Sequence, residues 1–233
     1  MAITQPPHGR TSAKQIRGRQ QKQTAKNKSL SKSSRAWVQR QLNDPYVAEA
    51  QRLGYRSRAA FKILQLDEKC HFFRPGAVVV DLGAAPGGWS QIAAQKLGKK
   101  GTIIAMDILE MKPLPDVEFL QGDFSDEEIQ QKLLAMIGGR KVNLVMSDIA
   151  PNTIGHGRTD HLRIMALAEE AYVFARQVLA PGGAFVCKVF QGGADHKILT
   201  PLKQQFEKVR HIKPPASRKD SAEMYLVATG FRA

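Results

Sequence analysis

The sequence predicts an α/β fold, a mostly parallel sheet with helices on both faces. Three observations predict it. Apolar runs such as VVVDL (78–82), TIIAMD (102–107), VNLVMSD (142–148) and AFVCKVF (184–190) alternate with segments of helical character. VVVDL is a β-branched run bounded by turns, which suits a parallel strand buried on both faces. A chain of 233 residues, 42% of them hydrophobic, has the size of one such domain with an appendage.

The elements follow in order. Residues 34–53 (SRAWVQRQLNDPYVAEAQRL) read as a short helical lead-in. RSRAAFKILQLDEKC (56–70), with Phe61, Leu64 and Leu66, reads as a helix packed on the main domain. Pro75 and Gly76 mark a turn before VVVDL. A helix over about 90–97 and then Gly101 lead to TIIAMD. A loop with Pro113 and Pro115 precedes the strand VEFLQGD (117–123), and a helix spans about 126–136. VNLVMSD leads into the loop APNTIGHGRTD (150–160), a helix over about 162–179, a PGG turn (181–183) and AFVCKVF. A helix near 196–206 and strands near 208–213 and 223–231 finish the chain. The last two strands, joined without a long helix, supply an antiparallel edge pair.

Charge divides the chain. The formal net charge is +14, which points to an anionic partner, nucleic acid first. Residues 1–43 hold no Asp or Glu, and the first acid is Asp44. Up to about residue 33 the chain is also rich in Gln, Ser, Thr and Gly, too polar to bury the apolar surface that ordering requires. The expected organisation is a disordered basic tail over 1–33 and a single domain over 34–233. The tail reads either as a solvated extension or as an arm that binds phosphates without reading sequence.

Other classes are set aside. Cys70 and Cys187 form no CxxC pair, and the six histidines show no ligand spacing; His156 and His161, five apart, make no convincing pair. No metal and no disulfide are expected, in keeping with a reducing cytoplasm. No secretory leader is visible, and no run of 18 apolar residues suggests a membrane span.

In an open α/β sheet, ligands bind beyond the carboxyl ends of the strands, where strand order switches. Asp81 with Gly83, Asp107, Asp123 and Asp148 are all expected at such ends. Gly83, Gly87 and Gly88 permit tight turning and close approach of a ligand. Their G-x-x-x-G-G spacing is not the G-x-G-x-x-G that seats a pyrophosphate on a helix N-terminus. Pro86 stiffens the loop and Trp89 sets an aromatic beside it. An acid at Asp107 can accept from both ribose hydroxyls, and one at Asp123 can meet an adenine amino group. An adenosine without a pyrophosphate, carrying a cation welcomed by the acids, is S-adenosylmethionine.

Lys188 is the second feature, because it lies inside an apolar strand. Lysine is almost never fully buried unless paired. Either it sits on an edge and reaches solvent, or it lies near Asp148 with its proton loosened by desolvation or by a second lysine. Lys62 is a candidate second cation and Glu223 a candidate second acid. Such a lysine can take the proton of a ribose 2′-hydroxyl while a methyl group is transferred in line.

The runs YRSRAAFK (55–62), DLGAAPGGWSQ (81–91), SDIAPN (147–152), KVFQG (188–192) and SR…EMYLVATG resemble the RrmJ/FtsJ family of ribosomal RNA ribose 2′-O-methyltransferases, over about residues 34–232. The resemblance implies a Rossmann-like, S-adenosylmethionine-dependent methyltransferase fold, seven-stranded with one antiparallel strand. It implies a catalytic set of Lys62, Asp148, Lys188 and Glu223, with Lys188 the proton acceptor, and cofactor contacts at Gly87, Trp89, Asp107, Asp123 and Asp148. The implied substrate is a uridine 2′-hydroxyl in the A loop of 23S rRNA within the assembled 50S subunit, and the implied place is the cytoplasm. Nothing in the sequence demands an oligomer, an obligate protein partner or a membrane. The basic tail, GHGRTDHLR (155–163) and SRKDSAEMY (217–225) depart from the family pattern.

Three alternatives stay open. A transfer RNA or messenger-cap 2′-O-methyltransferase would share the tetrad, though no appended domain large enough for a cap pocket is evident. A non-enzymatic RNA-binding protein would have no need of the four residues intact. A nicotinamide-dependent oxidoreductase would need the missing glycine pattern.

Overall fold

The computed structural model describes residues 31–151, 157–191 and 196–232. The expected basic tail therefore falls almost wholly outside the described residues. The first helix, α1 (Lys32–Leu42), begins two residues before its expected start, because Ser31 caps it by accepting from the Ser34 N–H at 3.1 Å.

The expected lead-in helix breaks in two. Pro45 lacks an N–H and disfavours helical backbone at the residue before it. Asp44 becomes the N-cap of α2 (Pro45–Arg52), accepting from the Tyr46 N–H at 3.1 Å. Next come α3 (Ala59–Cys70), β1 (Val78–Leu82), α4 (Gly88–Leu97), β2 (Thr102–Asp107), β3 (Val117–Gln121) and α5 (Glu127–Ile137). Then follow β4 (Val142–Ser147), α6 (Gly157–Val178), β5 (Leu179–Phe190), α7 (His196–Gln205), β6 (Phe206–Ile212) and β7 (Glu223–Phe231).

The seven strands form one sheet in the order β3-β2-β1-β4-β5-β7-β6. The ladders β1–β2, β1–β4, β2–β3 and β4–β5 are parallel, and β7 runs antiparallel to both neighbours. The two C-terminal strands pair as expected, with β6 at the edge and β7 inside it. From β1 the chain winds out to β3, then returns to place β4 on the other side of β1. That reversal is the switch point, and it brings the ends of β1 and β4 together.

The central strands read as unbroken apolar runs because both faces are covered. Val80, Ile104, Val145 and Phe185 pack with α5, α6 and α7. Val79, Ile103, Leu144 and Val186 pack with α3 and α4. The PGG stretch is not a turn ahead of the strand. It lies inside β5, whose register with β4 slips between Val142 and Leu144. Gly182, at φ +76°, supplies the left-handed residue that the irregularity requires. No helix among the described residues is long and apolar enough to cross a membrane.

Candidate active site

β1 delivers its chain into the turn Gly83–Gly87, and α4 leaves from it. The Gly83 and Ala84 N–H groups donate to the Met106 carbonyl at 2.9 and 3.0 Å, tying the turn to β2. Gly83 is at φ +78°, and a Cβ there would stand 2.8 Å from the Ile149 backbone nitrogen. Gly87 is at φ +101°, with Leu114 and Arg56 closing over it. Only glycine lets the segments after β1 and β4 approach this closely. The first-turn N–H groups of α4 face the turn, as helix geometry requires.

The four strand-end acids do gather along this edge, but not equivalently. Asp107 closes β2. Its Oδ2 accepts from the Ala85 N–H and its Oδ1 from the Leu109 N–H, both at 2.8 Å. Each oxygen keeps a second lone pair, and the carboxylate is held rigidly beside the loop. Asp123 lies two residues beyond β3, exposed, accepting from the Ser125 N–H at 3.0 Å. Asp81 is fully buried inside β1. Ser90 donates to its Oδ2 at 2.6 Å, and its Oδ1 has no partner. Burial pushes its carboxyl up to about 7, against the pull of Ser90 and with the added push of Asp148 and Asp107.

Trp89 turns away from the loop. Its indole is buried between α3 and Tyr225, and its Nε1–H donates to the Ala59 carbonyl at 2.9 Å. The side chain fixes α4 against α3 and β7. Arg56 braces the loop from outside, donating to the carbonyls of Pro86 at 3.3 Å and of Lys112 and Pro113 at 2.5 Å. Its own N–H reaches Gln91 Oε1 at 2.9 Å.

The catalytic candidates meet at the same edge. Asp148 follows β4 directly, and Lys188 Nζ lies 2.8 Å from its Oδ1 and 2.7 Å from its carbonyl oxygen. Across β7, Lys62 Nζ lies 2.8 Å from Glu223. Residue types from four elements, 161 positions apart at the extreme, thus form two ion pairs.

Tyr225 joins them. Its hydroxyl accepts from Lys62 at 3.0 Å and donates to Asp148 Oδ1 at 2.8 Å. Ser217 donates to Glu223 Oε1 at 2.8 Å and closes the far end. The result is one chain, Lys188–Asp148–Tyr225–Lys62–Glu223–Ser217. Burial alone would push the Asp148 carboxyl up; Lys188, Lys62 and the donated hydrogen bonds outweigh it and hold the group below the usual carboxylate range. Burial, then the charges of Asp148 and Glu223, push the Tyr225 phenol well above its usual value, so it remains a donor.

Tyr225, Ser217 and Arg56 were not singled out by the sequence. A signal for Tyr225 exists: in EMY it stands two residues after Glu223, so the two share one face of a strand.

A groove of about 490 Å³ opens beside Glu223, lined in part by Arg40, Arg58, Ser217, Arg218 and Lys219. Asp44 Oδ2 anchors two of these cations, Arg58 at 3.0 Å and Arg218 at 3.3 Å. A cavity of about 550 Å³ lies at the opposite end of the strands, by Lys141, Arg176 and Arg232. None of the strand-end acids lines it, so the chemistry does not belong there. Among the described residues no group of three or more His, Cys, Asp or Glu is arranged to hold a metal ion.

The family described as FtsJ-like methyltransferase matches residues 55–231. A Rhodopseudomonas palustris protein named ribosomal RNA large subunit methyltransferase E is 60% identical over 203 residues, 86% of each chain. A protein of the same name from Azorhizobium caulinodans is 60% identical over 205 residues, covering 87% of this chain and 85% of its own. A Plasmodium falciparum crystal structure described as a ribosomal RNA methyltransferase superposes with a TM-score of 0.69 at 32% identity, covering 76% of this chain and 98% of its own.

Proposed function

Because the chain belongs to the FtsJ-like methyltransferase family, we propose that it methylates the ribose 2′-hydroxyl of a uridine in the A loop of 23S rRNA, in the assembled 50S subunit. S-adenosylmethionine supplies the methyl group, as a sulfonium that becomes a neutral thioether on transfer. The observation that carries this reading is the pairing of Lys188 with Asp148, linked to Lys62 and Glu223, at the switch point beside the glycine turn.

The residues suit the cofactor. Asp107 presents a braced carboxylate for two ribose hydroxyls, and Asp123 an exposed one for the adenine side. The glycines let Ile149, Leu114 and Arg56 close tightly around the turn Gly83–Gly87, and the backbone from this turn to Trp89 forms the cradle. Asp107 and Asp148 make the edge favourable to a cation.

The residues also suit a ribose hydroxyl. Lys188, in its amine form, takes the hydroxyl proton as the oxygen attacks the methyl carbon in line. Asp148 orients that amine through two contacts and stabilises the ammonium that forms. Lys62, held by Glu223 and Tyr225, supplies a second fixed cation near the developing negative oxygen. Preorganisation of both lysines lowers the cost of alignment. The groove lined by Arg58, Arg218 and Lys219 is where the RNA backbone lies, with the basic tail over residues 1–33 adding phosphate contacts. The location that follows is the cytoplasm, acting as a monomer.

Mapping 2′-O-methylation across total RNA, in cells with and without this protein, tests the substrate. One missing uridine mark in the A loop is expected. A mark lost from transfer RNA or a messenger cap instead would contradict it.

A further inference from the structure

One buried side chain in the site belongs to neither ion pair. Tyr225 is fully buried, its ring 5.6 Å from that of Trp89. Lys62 Nζ lies 5.6 Å from the ring centroid. The direction of its hydrogen bonds is fixed by chemistry. An ammonium has no acceptor, so Lys62 donates, and the phenol proton goes to Asp148 Oδ1. Packing alone would be satisfied by phenylalanine, and a buried hydroxyl is unfavourable unless paired. Tyr225 also stands opposite Lys188 in the β5–β7 register. The residue that shapes Asp148 is thus fixed by the same ladder that carries the lysine.

We propose that Tyr225 is a positioning residue for methyl transfer: its hydroxyl joins the Lys62–Glu223 pair to the Lys188–Asp148 pair, so that Asp148 holds Lys188 in one orientation. The proposal rests on the functional reading above. A carboxylate with Lys188 as its sole side-chain donor can turn about its Cβ–Cγ bond and let the lysine swing. With Tyr225 and Lys188 both on Oδ1, that rotation is blocked. The charged and titratable groups acting on Asp148 are Lys188 from β5, Lys62 from α3 and Tyr225 from β7, with Asp81 of β1 close enough to feel its charge; Glu223 of β7 acts one step further out, on Lys62 and Tyr225. Of these, only Tyr225 contacts members of both pairs with one atom.

The test is Tyr225→Phe, which keeps the ring and its packing on Trp89. With large ribosomal subunits as substrate, kcat should fall roughly tenfold, the loss of one hydrogen bond to a charged group. KM for RNA and cofactor should stay constant, and so should the thermal midpoint within a few degrees. Carbon NMR of the Asp148 carboxyl in the protein without substrate should show its titration midpoint rise in the variant. Unchanged kcat overturns the proposal, whether or not that midpoint moves. An inactive wild-type protein would instead sink the functional reading, and an unmoved carboxyl titration would then still refute the link between the pairs.

Discussion

Lys188 and Tyr225 stand opposite each other across β5 and β7, and both reach one atom, Asp148 Oδ1, at 2.8 Å. That convergence is a product of topology. β7 is antiparallel, so its first residues lie at the end of the sheet where β1 and β4 finish. Glu223 and Tyr225, near the start of β7, therefore meet Asp148 at the end of β4. A parallel seventh strand would carry its first residues to the opposite end.

Asp107 braces the glycine turn and is also proposed to hold a ribose. Asp107→Ala should weaken S-adenosylmethionine binding at least about tenfold, the loss of more than one hydrogen bond to a charged acceptor. Isothermal titration calorimetry measures it, and an unchanged dissociation constant would refute the ribose role.

Asp81 sets a stability trend with pH. Its folded value of about 7 lies above the ordinary 3.8, so the folded state binds this proton more tightly than the unfolded chain. This group therefore costs no stability below about pH 4, and its burden grows as pH rises towards 7 and then levels off. The span corresponds to a few kcal/mol, on the order of 4. Asp81→Asn should remove that slope. Urea unfolding at pH 5 and pH 8 tests it; identical slopes in the two proteins would show that Asp81 ionises normally.

The basic tail contributes seven Lys and Arg within residues 1–30 and no acid, half of the net charge of +14. Removing residues 1–30 leaves Ser31 to cap α1. If the tail binds phosphates, RNA affinity should fall and the slope of log K against log salt should flatten by roughly 0.7–0.9 for each lost phosphate contact. A filter-binding salt series with an unaltered slope would reduce the tail to a solvated extension.

Much of this site was legible in the sequence, for reasons specific to each part. The central strands announced themselves because burial on both faces demands unbroken apolar runs, as in VVVDL and AFVCKVF. Strand-end acids could be placed because a parallel sheet aligns the carboxyl ends of its strands. Lys188 stood out because a lysine in such a run needs a partner. What stayed hidden depends on contacts distant in sequence. The role of Tyr225 emerges only when β7 inserts beside β5 and when α3 brings Lys62 over it. Trp89 shows what spacing leaves open. Its place beside the glycines set an aromatic next to the loop, and α4 turns the side chain into the core, where Ala59 takes its N–H. The break at Asp44–Pro45 was readable from proline chemistry, although a single periodic segment concealed it.

The most direct measurement is single-turnover methyl transfer to large ribosomal subunits purified from cells lacking this protein, with wild type and Lys188→Ala side by side. Wild type should place one methyl group on an A-loop uridine ribose. The variant should bind S-adenosylmethionine with unchanged affinity yet transfer at least about a hundredfold more slowly, the scale of a lost general base. Near-normal transfer by Lys188→Ala would contradict the assignment of Lys188 as the group that takes the proton.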